Sequence, residues 1–162
     1  MEIDTKNLIY RKLAHDDINL FIKLRLDFLS DINKEMTEKN KEIMTESLEQ
    51  YYLKHFEKNE FIGIICEYTG NVISTAFLAI NEKPANYHFI NGKIGTLLNV
   101  FTYPEYRKNG ISTNIMKIII EEAKKYNISE IDLLATEDGE KMYKKFGFSE
   151  SDNKYMKLEL YL

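Results

Sequence analysis

The stretch from Leu97 to Thr113 constrains this chain more than any other. It opens with Leu97-Leu98-Asn99-Val100-Phe101-Thr102-Tyr103-Pro104, an apolar run that a proline ends. It continues as Glu105-Tyr106-Arg107-Lys108-Asn109-Gly110-Ile111-Ser112-Thr113, a basic loop with a glycine that feeds a long amphipathic helix. Residues 94–102 are apolar apart from Thr96, Asn99 and the closing threonine, as a central strand covered on both faces would be. A strand that turns through such a loop into a helix leaves the first-turn N–H groups facing the space beyond it. Those donors and the positive end of the helix dipole favour an anion such as a phosphate. Asn99 stands out, because a carboxamide in a central strand needs partners.

The flanking pattern is that of a mixed α/β domain. Residues 8–13 have strand composition, and Asp16 and Asp17 supply capping chemistry for a helix in which Ile18, Phe21, Ile22, Leu26 and Leu29 share one face. Arg25 lies on that face. A charge there either snorkels outward or lines a substrate pocket, since stranding it costs several kcal/mol. A second helix is expected over 45–56, with residues 33–41 as a polar connection suited to a surface loop or a lid. Residues 61–68 and 72–80 read as a hairpin turning at Thr69-Gly70-Asn71, and 81–93 as a long loop. After the central strand come a helix over 110–126, a strand over 128–135 and a short helix that Gly147 ends. A half-buried strand is expected over 155–161, where Met156, Leu158 and Leu160 alternate with Tyr155, Lys157, Glu159 and Tyr161. The expectation is one domain, 1–162, around a single sheet.

Composition narrows the function. A chain of 162 residues buries roughly 70% of its unfolded surface without disulfides or metals. A net charge of −4 disfavours a nucleic-acid partner and suits a neutral or cationic substrate. Cys66 is the only cysteine, set in an apolar strand, and reads as a small buried hydrophobe. His15, His55 and His88 lack metal spacing and read as surface residues, so no metal is expected. No apolar run approaches the roughly 20 residues of a membrane span, and the amino terminus does not read as a signal peptide. The expectation is a cytoplasmic protein with no nucleic-acid or membrane partner, with homodimerisation open. A phosphotransferase would want Gly-x-x-x-x-Gly-Lys-Ser/Thr, which this loop lacks.

Two groups of residues carry a family resemblance. Arg107, Gly110 and Ser112 follow the spacing Arg/Gln-x-x-Gly-x-Gly/Ala, with serine in the last small position. Tyr143-Lys144-Lys145-Phe146-Gly147-Phe148 places a tyrosine one helical turn before Gly-Phe. With Tyr10-Arg11-Lys12-Leu13 and Asp16-Asp17 at the start, the chain resembles the GNAT superfamily of acetyl-CoA-dependent N-acetyltransferases over nearly its whole length, residues 33–52 being least typical. The resemblance implies a mostly antiparallel mixed sheet with helices on both faces and splayed central strands.

It also implies roles. Arg107, Lys108, Asn109, Gly110, Ile111, Ser112 and Thr113 would cradle the diphosphate of acetyl-CoA. The backbone of Asn99, Val100 and Phe101 would pair with the pantetheine arm and polarise the thioester carbonyl, and Thr136 would touch that arm. Tyr143 would protonate the leaving sulfur after direct attack by a primary amine of a small molecule or peptide. Many relatives place a glutamate base on a central strand, but the corresponding positions read Leu97, Leu98 and Ile131. Glu82, Glu137, a carboxylate of the first helices, or backbone carbonyls with water remain as bases. The missing glutamate also keeps open an acyl-CoA-binding module of weak catalysis. The acceptor pocket would be built by the first two helices and the 81–93 loop.

Overall fold

The computed structural model describes residues 3–33 and 36–160. Five strands, β1 (Leu8–Lys12), β2 (Phe61–Tyr68), β3 (Asn71–Glu82), β4 (Lys93–Thr102) and β5 (Glu130–Asp132), form one sheet in sequence order. All neighbours are antiparallel except β4 and β5, which run parallel. The β2–β3 hairpin turns through Thr69 and Gly70, whose φ values of 48° and 81° are the left-handed pair that a two-residue hairpin twisted like its strands requires.

Among the described residues four α-helices cover the sheet: α1 (Ile18–Ile32), α2 (Glu38–Glu57), α3 (Ile111–Lys125) and α4 (Glu137–Lys145). On one face Phe21 and Leu24 of α1 and Tyr52 of α2 pack on Phe61, Ile65 and Phe77. Phe21 is the hub of this cluster, its ring centre 4.8 Å from that of Tyr52, 5.1 Å from Phe77 and 5.2 Å from Phe61. The Tyr52 hydroxyl, which cannot be left unpaired inside, donates to the Ala14 carbonyl at 2.6 Å. On the other face Ile111, Ile115, Met116, Ile119 and Ala123 of α3 meet Ile62, Ile64, Ile73, Ala76 and Leu78, with Met142, Tyr143 and Phe146 of α4 packed alongside.

Three expectations are corrected. The second helix starts at Glu38, not at residue 45, because the Thr37 hydroxyl accepts from the Asn40 N–H at 3.2 Å. Its first turns carry few apolar residues, so periodicity could not reveal them. Of the expected 33–41 connection only residues 33, 36 and 37 are described as non-helical, and 34 and 35 lie outside the described residues. β5 pairs over only three residues, not 128–135, because β4 and β5 diverge after Thr96↔Asp132.

The half-buried strand expected over 155–161 does not form over 155–160, and Tyr161 lies outside the described residues. Tyr155, Met156, Leu158 and Leu160 are 71 to 87% exposed. Alternation specifies the two faces of a strand but not an edge to pair with, and the short β5 offers little edge. No helix among the described residues is long and apolar enough to cross a membrane.

Candidate active site

The site begins with a defect in the sheet. Along β3 and β4 the register steps from Thr75↔Phe101 to Phe77↔Leu98, so β4 bulges at Asn99 and Val100. Asn99 adopts φ 55°, a left-handed conformation that asparagine tolerates better than most side chains. Beyond Thr96 the outer edge of β4 has left β5, and the backbone groups over 97–102 on that side have no strand partner among the described residues. The Asn99 carboxamide finds the partners its burial demands on α1. It donates to the Leu24 carbonyl at 3.3 Å and accepts from Arg25 Nη1 at 3.3 Å. Arg25 is therefore neither fully snorkelled nor core: half-buried, it reaches the bulge, with its guanidinium 5.7 Å from the centre of the Phe28 ring. Burial pulls its pKa down from the usual arginine range.

The loop after β4 is held open by its own side chains. Arg107 Nε donates to the Thr102 carbonyl at 2.9 Å, Nη2 meets Asp31 of α1 at 3.2 Å, and the guanidinium lies over Phe101. Arg107 thus ties the loop to α1, leaving its backbone on the cleft wall. The Asn109 amide nitrogen donates to the carbonyls of Tyr106 at 3.0 Å and Arg107 at 3.2 Å. Gly110 caps α3 at φ 73° with no atom within 4 Å of where a Cβ would stand. The first bond of the helix runs from Asn114 N–H to the Gly110 carbonyl, so the N–H groups of Ile111, Ser112 and Thr113 have no partner within it. Ser112 is explained by hydroxyls beneath the loop. It bonds Thr102 Oγ1 at 2.8 Å, which bonds Ser74 Oγ at 2.7 Å, which donates to the Phe101 carbonyl at 2.9 Å.

Two clefts meet here. One of about 320 Å³ is walled by Tyr106, Arg107, Lys108, Gly110 and Thr113 of the loop and helix start, with Asp138 and Met142 opposite. The second, about 440 Å³, shares Thr113, Asp138 and Met142 and adds Lys117, Lys141, Lys145 and Phe146. The three lysines are exposed and make no ion pair among the described residues. Sequence reasoning missed them. The signal was present in Lys141 and Lys145, one turn apart on α4, but only the packing of α4 beside α3 brings in Lys117.

Tyr143 projects from α4. Thr136 caps that helix, its hydroxyl accepting from Gly139 N–H at 3.3 Å, so its side chain has a structural task. Gly139 is required for close approach, since a Cβ there would stand 2.8 Å from Tyr143 Cε2. The Tyr143 ring lies edge-on to Phe148, and its hydroxyl makes no hydrogen bond among the described residues. Burial raises its pKa, so it remains a phenol with a proton to give. The Phe148 N–H, following Gly147 at φ 90°, closes back onto the Tyr143 carbonyl at 3.2 Å.

Other candidates resolve by position. Glu82 pairs with Lys93, about 20 Å along β4 from Asn99 at roughly 3.3 Å per residue, which removes it as a base. Asp27 is bound by Lys23 and Tyr103, and Asp31 by Arg107. Cys66 is fully buried and its thiol is pushed up to about 11 by burial, so it is inert. His15 and His88 are exposed, but His55 is half-buried against Glu60 at 2.8 Å, correcting its reading as a surface residue.

A splayed pair of central strands, with a long helix starting at the end of one and helices on both faces of the sheet, defines an acyltransferase-type fold. The chain belongs to the acetyltransferase (GNAT) family, whose model matches residues 26–148. It is similar to a predicted acetyltransferase of Clostridium acetobutylicum solved with acetyl-CoA. The two share 30% identity over 94% of this chain and 96% of that one, with a TM-score of 0.83. A GCN5-related N-acetyltransferase of Ralstonia eutropha JMP134 shares the fold at 22% identity, 93% and 98% coverage and a TM-score of 0.78. So does the glucosamine-6-phosphate N-acetyltransferase of Arabidopsis thaliana, at 19% identity, 95% and 97% coverage and a TM-score of 0.63. A search among curated proteins finds no match.

Proposed function

We propose that this protein is an N-acetyltransferase that moves the acetyl group of acetyl-CoA to a primary amine. The observation that carries the reading is the edge of β4 from residue 97, without a strand partner among the described residues, which runs on into a helix start where the N–H groups of Ile111 to Thr113 have no partner within α3. The helix α4, whose Asp138 and Met142 wall the same cleft, carries the phenol of Tyr143. They fit the ligand chemically. The open space over Gly110 admits a diphosphate against backbone donors, and the β4 edge supplies main-chain groups for the amides of a pantetheine arm. Lys117, Lys141 and Lys145 in the adjoining cleft offer cations to the phosphate at the nucleotide end. Asp138, on the shared wall, makes those cations the more necessary.

When bound, acetyl-CoA supplies an activated acyl group and a thiolate as leaving group. The chain's part is to orient and to move protons. In this reading a main-chain N–H of the Asn99–Phe101 bulge polarises the thioester carbonyl, and one such donor to a developing oxyanion is worth about 3 kcal/mol. Tyr143, held protonated by burial, is the acid for the departing sulfur. With no glutamate at Leu97, Leu98 or Ile131, deprotonation of the amine falls to water and main-chain carbonyls at the bulge.

Acetyl-CoA at saturating concentration is expected to raise the thermal midpoint by several degrees. Tyr143→Phe should then lower kcat by about 100-fold or more, with acetyl-CoA affinity within a few-fold of wild type. An unshifted midpoint would count against acetyl-CoA as ligand. A shift in both proteins with no turnover on an amine panel would favour the binding-module reading, which the missing strand glutamate supports.

A further inference from the structure

The three arginines of this chain are treated differently. Arg11 is bound by Asp17 at 2.6 Å and Glu67 at 2.9 Å, and Arg107 by Asp31 at 3.2 Å. Arg25, the most buried by its surroundings, has no carboxylate partner among the described residues. Among the described residues its one hydrogen bond is the 3.3 Å contact to the neutral Asn99 Oδ1, and its guanidinium also lies over the face of Phe28. A guanidinium carries five N–H donors in a planar fork, so most of that capacity has no protein partner among the described residues. Desolvating such a cation without a counter-charge costs stability. The acids of its own helix do not relieve it, because Asp27 is taken by Lys23 and Tyr103, and Asp31 by Arg107. From α2 the ionisable neighbour is Tyr51, itself pushed toward the neutral phenol by burial, with Glu60 acting on Tyr51 from beyond.

The location gives the unused fork a meaning. Arg25 is tied to Asn99, the bulge residue of β4 three positions past its last pair with β5, on the face covered by α1 and α2. The cofactor clefts lie past the other end of that edge, lined by α3 and α4. We propose that Arg25 is the anion-recognising residue of the acceptor site, so that the amine this protein acetylates carries a carboxylate or phosphate close to its nitrogen. The inference rests on the acetyltransferase reading and extends it. It selects a small anionic amine over a peptide amino terminus, whose neighbouring group is a neutral amide. The acceptor anion replaces the weak Asn99 contact with a charge-assisted, two-pronged bond that fixes the amine beside the bulge.

The test compares matched acceptors with wild-type protein, Arg25→Gln and Arg25→Lys. The pairs are free amino acids against their carboxamides, and phosphoethanolamine against ethanolamine. They separate a carboxylate source from a phosphate source. In wild type the anionic member of one pair should have kcat/KM at least tenfold above its neutral partner. Arg25→Gln should collapse that ratio to within about twofold, chiefly through KM, and Arg25→Lys should restore part of it. Calorimetry of N-acetylated amino acids and their amides into protein saturated with CoA gives the same comparison without turnover. Neutral acceptors used or bound as well as anionic ones, or a preference that survives Arg25→Gln, would overturn the proposal, as would no binding by any member. The acetyl-CoA thermal shift, measured on all three proteins, reports folding and keeps the two readings apart. A normal shift without anionic preference sinks only the Arg25 proposal, while no shift sinks the acetyltransferase reading.

Discussion

Gly139 and Tyr143 act as a unit. Ordinarily alanine in place of a helical glycine stabilises by up to about 1 kcal/mol. Here the added methyl meets the Tyr143 ring at 2.8 Å and Thr136 Oγ1 at 3.3 Å, so the ring must swing away from the first turn of α4. Gly139→Ala is expected to leave stability within about 1 kcal/mol of wild type while lowering kcat tenfold or more; unchanged turnover would remove the positional argument for Tyr143. Ser112 makes the opposite case. Its hydroxyl is directed inward to Thr102, so its departure from the family's usual Gly or Ala serves the fold, and no demand of the ligand need be invoked. Gly110 was readable from sequence as a local backbone requirement, and Arg107 and Tyr143 through the resemblance that their spacing carries. The Asn99–Arg25 bond joins residues 74 positions apart, and nothing local announces it.

At the scale of elements, α3 and α4 together make a surface neither makes alone. Lys117 comes from one helix and Lys141 and Lys145 from the other, and the cleft between them adjoins the loop cleft. Exposed lysines bind a phosphate as point charges, so each contributes modestly and in a salt-dependent way. Replacing all three by glutamine should weaken CoA binding about tenfold and bring its affinity close to that of 3′-dephospho-CoA. Titration calorimetry of both ligands reads this directly, and an undiminished preference for CoA would place the phosphate elsewhere. The helices were visible in sequence by their apolar stripes, although the start of α2 was not, because its first turns rest on Thr37 rather than on burial.

The whole molecule is a sheet clamped from both faces, and its edge strand is pinned by charge. Arg11 of β1 bonds Asp17 and Glu67, and Lys12 bonds the buried Glu122 of α3 at 2.9 Å. Arg11 holds the Asp17 carboxyl below its usual range, and Lys12 does the same for Glu122. A carboxylate whose folded pKa is depressed stabilises the protein above its unfolded pKa, near 4, and that stability is lost as pH falls through the lower folded value. Thermal midpoints should therefore hold from neutral pH to about 5 and fall below 4. Asp17→Asn should cost about 2 kcal/mol at pH 7 and make the acid decline shallower. An equally steep decline in the variant would show that Asp17 is not part of it.

Sequence by itself determined what depends on neighbours along the chain: the hairpin at Thr69-Gly70, the glycine-led start of α3 and the tyrosine one turn before Gly147. These are periodicities, caps and φ requirements, which a few consecutive residues impose. Tertiary structure decided the rest. It split β4 from β5 after Thr96 and, among the described residues, left 155–160 without a strand partner and carried Arg25 to Asn99 without a carboxylate. Which edge a strand finds, and which charge a buried cation lacks, are set by packing between segments far apart in the chain, and no local pattern encodes either.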